Sequence, residues 1–231
     1  MLLLAFETSA KAASVALFED EKLLAEQYQN TAMTHSQTLL VMAQDMLKQC
    51  GRTAREVEGI GVANGPGSFT GVRIGVAAAK GFAWGGEIPI YGVSTLEAMA
   101  YGSGVYNGYV CCAMDARRAQ VYNALFYFER GRLIRQTPDR AIALTDLAEE
   151  LKRVELPIFL VGDGSVLCYN TLKDTVPNLI LPPECRQQQR AVGVALAAMA
   201  KKQPDDPAAL APNYLRVSQA ERERNEKLQN K

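Results

Sequence analysis

The chain has 231 residues, 48% hydrophobic and 22% charged, which suits one large domain or two small ones and leaves a sizeable core available. Lys plus Arg equals Asp plus Glu at 25 each, so the net charge is zero and no strong field draws the chain onto nucleic acid or an anionic membrane. The longest uncharged apolar run, Ala191 to Ala200, falls well short of the roughly 20 residues of a membrane span, and five scattered cysteines without a C-x-x-C pair argue for reduced thiols in the cytoplasm rather than disulfides or a zinc site.

The opening "MLLLAFETSAK" lacks a basic start and soon meets Glu7, so it reads as a strand and not a secretory signal. Leu2 to Phe6, Ala12 to Phe18 and Leu23 to Tyr28 are short apolar or alternating runs that predict a three-strand meander. Leu39, Ala43, Met46, Leu47 and Cys50 recur at helical spacing from about His35, with Gly51 placed as a stop. The strand "GIGVAN", a Gly-rich loop, a helix from about Thr70 to Trp84, the strand "PIYGVS" and a short helix from Thr95 follow. Turn-forming residues cluster in "YGSGVYNG", Tyr101 to Gly108, which marks a boundary between a first lobe at 1–104 and a second at 105–216.

After that boundary the same order starts again. "YVCCAMDARRAQVYNALFYFERGRLIRQ" offers three strands, "LTDLAEELKRV" a helix, "PIFLVGDGS" a strand and Gly-rich turn, and "VLCYNTLKDTV" another helix. Placing Glu7 over Asp115 gives an offset of about 108 residues, and each acid then follows the first strand of its half. Two such halves form two α/β lobes whose strand-end loops, with Glu7, Thr8, Ser9, Asp115 and the turns at Gly65 to Ser68 and Gly162 to Gly164, face one cleft. The helix from Ala191 to Lys202 has no counterpart in this simple repeat and is expected to pack back on the first lobe. The tail at 217–231 is almost wholly polar.

The stretch "VANGPGSFTGVRIG", Val62 to Gly75, admits two readings. Backbone N–H groups at Gly65, Gly67 and Ser68, leading into a helix, suit an anion such as phosphate. Yet there is no GK[ST] and no dinucleotide fingerprint, and His35, the only histidine, lies before the loop, which argues against a Ser–His pair. The helix beyond it places Gly71, Gly75, Ala78 and Ala79 on one face within roughly 100°. Glycine inside a helix costs about 1 kcal/mol relative to alanine, so this bare face is expected to meet another backbone, inside the lobe or on a partner chain. On the His35 to Cys50 helix the apolar arc covers about 160°, with His35, Met42 and Met46 along one edge and Leu39 within it, again a core face or a partner surface.

"LAFETSAKAASVAL", "MTHSQTLL", "GVANGPGSFTGVRIG", "GVSTLEA", "MDARRAQVY" and "APNYLR" resemble the bacterial TsaB (YeaZ) family. The resemblance implies a duplicated actin-like (ASKHA, ribonuclease H-like) α/β fold with two lobes. It also implies a role in making N6-threonylcarbamoyladenosine at position 37 of tRNA, beside the paralogue TsaD, which transfers the threonylcarbamoyl group, and the ATPase TsaE. TsaD resembles a metal enzyme with an H-x-x-x-H ligand pair; here position 39, four residues after His35, is leucine. Actin-like ATPases carry aspartate where this chain has Glu7, whereas Asp115 matches the second acidic position.

The expectation is therefore a non-catalytic, cytoplasmic subunit that binds and activates TsaD together with TsaE, with no metal and no cofactor of its own, ATP or ADP binding at the partner interface if anywhere. His35, Leu39, Met42, Met46, Gly71, Gly75, Ala78 and Ala79 form the expected partner interface, which joins two copies when TsaD is absent. tRNA is met only through the complex. The alternatives are an ATP-binding phosphoryl or carbamoyl transferase using Glu7, Asp115 and the Gly-rich turns, and a metallopeptidase-like protein.

Overall fold

A computed structural model describes residues 1–31 and 33–216, so the expected polar tail lies outside the described residues. The first lobe begins with β1 (Leu2–Glu7), β2 (Ala13–Glu19) and β3 (Lys22–Gln29), then α1 (His35–Gln49), β4 (Gly59–Ala63), α2 (Phe69–Gly86), β5 (Ile90–Val93) and α3 (Thr95–Gly102). The strands assemble in the order β3-β2-β1-β4-β5, with the meander antiparallel and β4 and β5 parallel to β1. All six residues of β1 are buried, as a central strand covered on both faces requires. Gly51, in the left-handed region at φ 66°, follows the end of α1 where the sequence places the stop.

The second lobe repeats this order with β6 (Gly108–Asp115), β7 (Gln120–Glu129), β8 (Arg132–Arg135), β9 (Arg140–Ala143), α4 (Leu144–Leu151), β10 (Ile158–Val161), α5 (Ser165–Leu172), β11 (Leu179–Ile180) and α6 (Ala191–Ala200). Its sheet runs β11-β10-β6-β7-β8, with β9 also on β7. Two expectations are corrected here. The three strands expected from Tyr109 to Gln136 are β6, β7 and β8, and what the expected order missed is β9 between them and α4: the ten-residue β7 offers an edge long enough for β8 at Phe126 to Glu129 and β9 at Gln120 to Asn123. The two-residue β11, among prolines, is too short to leave a period in the sequence.

The second correction concerns the last helix of each half. α6 has a counterpart, α3, and the two are exchanged: α6 packs Ala191, Val194, Ala195 and Ala198 on the first sheet at Leu3, Ala5, Ala16 and Phe18, while α3 sets Leu96, Met99 and Ala100 on the second sheet at Val110, Cys112 and Phe126. α6 thus lies on the first lobe. Where the exchanged helices cross, a Cβ on Gly193 would stand 2.0 Å from the Ala98 carbonyl oxygen, so only glycine allows the contact. α1 and α2 cover the other face of the first sheet, and α4 and α5 that of the second. Cys111, Cys112 and Cys168 are buried, the first two packed as small apolar residues on opposite faces of β6. Among the described residues no helix is long and apolar enough to cross a membrane.

Candidate functional site

Glu7 at the end of β1 and Asp115 at the end of β6 both lie near enough to Asp163 for their charges to act on one another. Glu7, at the end of β1, is buried and accepts a hydrogen bond from the Ser9 N–H at 2.6 Å through Oε1. Its other oxygen, the Ser9 hydroxyl and Oε1 of Gln189 are buried without a partner among the described residues. Burial pushes the Glu7 carboxyl up to about 7; the bond from the Ser9 N–H opposes the rise and nearby Asp163 adds to it. The Asp163 carboxyl is raised chiefly by burial, while accepting a bond from Gln189 Nε2 at 3.1 Å. Asp115 stands at the rim, where Oδ1 accepts from the Arg117 N–H at 2.7 Å. Beyond Ala116, three residues in a row, Arg117, Arg118 and Ala119, have positive φ, and both arginines are exposed.

The Gly-rich loop lies against the β1 turn rather than standing open. Ser68 N–H donates to the Ser9 carbonyl at 2.6 Å, and a Cβ on Gly67 would lie 2.5 Å from that same oxygen. One turn on, a Cβ on Gly71 would lie 2.1 Å from the Thr8 carbonyl oxygen and one on Gly75 2.4 Å from Thr8 Oγ1. Gly65 is covered by Asn213, whose carbonyl oxygen sits 2.3 Å from the Cβ position. In the second lobe a Cβ on Gly162 would lie 2.1 Å from the Ala113 carbonyl oxygen, and Gly164 N–H donates to that oxygen at 3.0 Å. The glycines of both turns are thus needed because each turn packs backbone to backbone on its own lobe's first strand end. Ser68 caps α2, its Oγ accepting from Gly71 N–H at 3.3 Å.

The expected interface residues divide differently from the sequence reading. Leu39, Met42 and Met46 point into the first core, and Gly71, Gly75 and Ala79 are buried beneath α2, with Ala78 half-buried. These seven are corrected: the small-residue face is filled from within, by Thr8, sixty-odd residues upstream, and by the sheet. His35 is half-buried, with Nε2 2.8 Å from the Ala10 carbonyl oxygen. What lies open is the opposite side of the same two helices. Leu40 is 51% exposed, Val41 55%, Met33 just before α1 54%, and Trp84 on α2 73%. Ala77 is exposed with them, and a Cβ on Gly81 or Gly85 would meet nothing within 4 Å. The sequence signal for this face is Val41, an apolar residue outside the apolar arc of the helix.

Among the described residues no three His, Cys, Asp or Glu side chains gather closely enough to hold a metal ion.

A family model described as TsaD: tRNA N6-adenosine threonylcarbamoyltransferase matches residues 24–223. The tRNA threonylcarbamoyladenosine biosynthesis protein TsaB of Bacillus subtilis is 32% identical over 222 residues, spanning 96% of each chain. Its namesake in Escherichia coli is 37% identical over 152 residues, 65% of each chain. Among solved structures, a Pseudomonas aeruginosa protein described as similar to peptidase YEAZ superposes with a TM-score of 0.75 at 26% identity, over 93% of this chain and 99% of that one. The ROK hexokinase of Thermus thermophilus, at 12% identity, covers 87% of this chain and 99% of its own with a TM-score of 0.52, a likeness of fold alone. The two-lobed, duplicated actin-like architecture expected from the sequence is the one the chain has.

Proposed function

The chain belongs to the TsaB (YeaZ) family, and from that membership we propose that it serves N6-threonylcarbamoyladenosine modification of tRNA as a non-catalytic subunit that binds and activates TsaD, with TsaE as the ATPase of the assembly. The observation that carries the non-catalytic reading is the filled Gly-rich loop. Gly65, Gly67, Gly71 and Gly75 spend their missing side chains on Asn213, Ser9 and Thr8, so the turn that would cradle a nucleotide phosphate is taken up by the chain's own backbone. ATP or ADP, where the assembly uses it, is then held at the interface with TsaD.

Support for a binding role comes from the open side of α1 and α2. Met33, Leu40, Val41, Ala77 and Trp84 give two adjacent helices an uncovered apolar surface, with Gly81 and Gly85 allowing close approach of another helix. In this reading that surface receives TsaD and, in its absence, a second copy of the chain; tRNA is met through the complex.

Size-exclusion chromatography of the chain alone and mixed with TsaD tests the proposal. Co-elution that Leu40→Glu abolishes supports it, and co-elution unaffected by that change removes the interface. Titration with Mg-ATP tests the rival, a transferase in its own right: micromolar binding with slow hydrolysis, both abolished in Asp115→Ala, would favour the enzyme. Unchanged threonylcarbamoyladenosine in the tRNA of cells depleted of the chain would sink the functional assignment itself.

A further inference from the structure

After α6 the chain returns along the edge of the first sheet, where Asp205 bonds β5 backbone at Ile90 and Gly92 and pairs with Lys201. Leu210 closes this return by entering the first core. The next six residues belong to neither core and yet touch both lobes. Asn213 N–H donates to the Asn64 carbonyl at 2.6 Å. The Tyr214 ring stacks on Phe69 with centroids 4.2 Å apart and planes at 19°, and Arg73 donates from Nε to its hydroxyl at 2.7 Å while lying 4.0 Å over the Phe69 ring. Arg216 then crosses to the second lobe and donates from Nη1 to the Ala116 carbonyl at 2.8 Å, on the turn that follows Asp115.

From these contacts we infer that Ala211 to Arg216 is a releasable strap, rooted at Leu210, which couples the outer edge of α2 to the strand-end turn of the second lobe. The placement along α2 supports the coupling. At 100° per residue Phe69, Arg73 and Lys80 fall within about 40° of one another; Phe69 and Arg73 hold the strap, and Lys80 holds its root through the carbonyls of Ala208 and Leu210 at 3.2 and 3.0 Å. Trp84 and Ala77 begin the neighbouring stripe, the open one. A body seated on the open face therefore abuts Arg73 and the Tyr214 ring, a step that rests on the docking reading above. The strap is held by a stack, a cation–π contact and hydrogen bonds rather than by burial in a core, the profile of a segment that opens locally. When seated it covers Gly65 and tethers Ala116; when released it uncovers Gly65 and frees the second-lobe turn in one event.

Hydrogen exchange on the full chain alone, without any partner, tests the strap independently of the docking reading. Tyr214→Ala removes a contact on the first lobe only. The expected result is exchange faster by about tenfold, the scale of one lost aromatic stack, both near Asn64 to Phe69 and at the amides of Ala116 and Gln120 in the second lobe, with the two sheets unchanged. Arg216→Ala, which removes the second-lobe contact alone, should likewise speed exchange at both places, because one release exposes both. Faster exchange confined to the first lobe after Tyr214→Ala overturns the coupling. So does a general acceleration through both sheets, the mark of a chain that has simply loosened, and so does no change at all.

Discussion

Gly71 and Thr8 touch backbone to backbone: the Thr8 hydroxyl donates to the Gly71 carbonyl at 2.8 Å, and a Cβ on Gly71 would lie 2.1 Å from the Thr8 carbonyl oxygen. Glycine in an open helix is a weakness that alanine repairs by about 1 kcal/mol; here the contact reverses the sign. Gly71→Ala should destabilise the chain by about 2 kcal/mol through overpacking. Gly81→Ala, on the same helix with open space around it, should stabilise by up to about 1 kcal/mol. Urea denaturation of the two variants measures the contrast, and equal signs would mean that Thr8 does not press on α2.

Glu7 makes stability depend on pH. Its carboxyl titrates near 4.5 in the unfolded chain and at about 7 in the folded one, because burial penalises the charged form. A folded-state value raised above the unfolded one means that the folded chain holds the extra proton. The contribution is fully present below pH 4.5 and is lost as pH rises through 7, by about 3 kcal/mol in all. Glu7→Gln, neutral at every pH, should flatten this part of the stability curve between pH 5 and 8, and a Gln variant with the wild-type slope would assign the dependence to another group.

Where α3 and α6 cross, Gly193 sits on the Ala98 carbonyl and Gly102 approaches Gly193 with its own Cβ position 3.4 Å from the Gly193 Cα. Gly193→Ala should cost about 3 kcal/mol, since the obstruction is backbone on both sides and neither helix can yield without disturbing the sheet it covers. Because each of these helices packs on the other half's sheet, the loss should appear as one cooperative transition by both far-UV circular dichroism and tyrosine fluorescence. A variant that melts in two steps would show the lobes to be independent.

Trp84 is the chain's only tryptophan and is 73% exposed. If α1 and α2 dock a partner, its emission should shift to the blue when TsaD is added, and Leu40→Glu should abolish that shift. The same substitution should change the stability of the isolated chain by no more than about 0.5 kcal/mol, as expected for an exposed position. A blue shift that persists in Leu40→Glu would place the contact elsewhere.

Much of the architecture is legible without coordinates. The three-strand opening, the helix that begins at His35 and the repeat of element order about Asp115 all follow from apolar spacing and turn residues within short windows. The motif likeness that runs through both halves pointed to the family, and the comparisons agree. The candidate site was less legible. The Gly71 and Gly75 face was visible in the sequence as bare, and nothing within the helix says that Thr8 covers it. Leu39, Met42 and Met46 belong to the same apolar arc as Leu40, and the arc alone does not show where the sheet ends and solvent begins.

What this sequence determines by itself is which segments become strands and helices, where glycine is demanded and that two similar halves follow one another, since each depends on residues within a few positions of one another. Which lobe each closing helix covers, which face of α1 and α2 stays open and what fills the Gly-rich loop are decided only by tertiary structure. Those outcomes rest on backbone contacts between Thr8 and Gly71, Ala98 and Gly193, and Asn64 and Asn213. Contacts across such separations leave no local period, and close packing admits only the arrangement in which each missing side chain is matched by a neighbouring backbone.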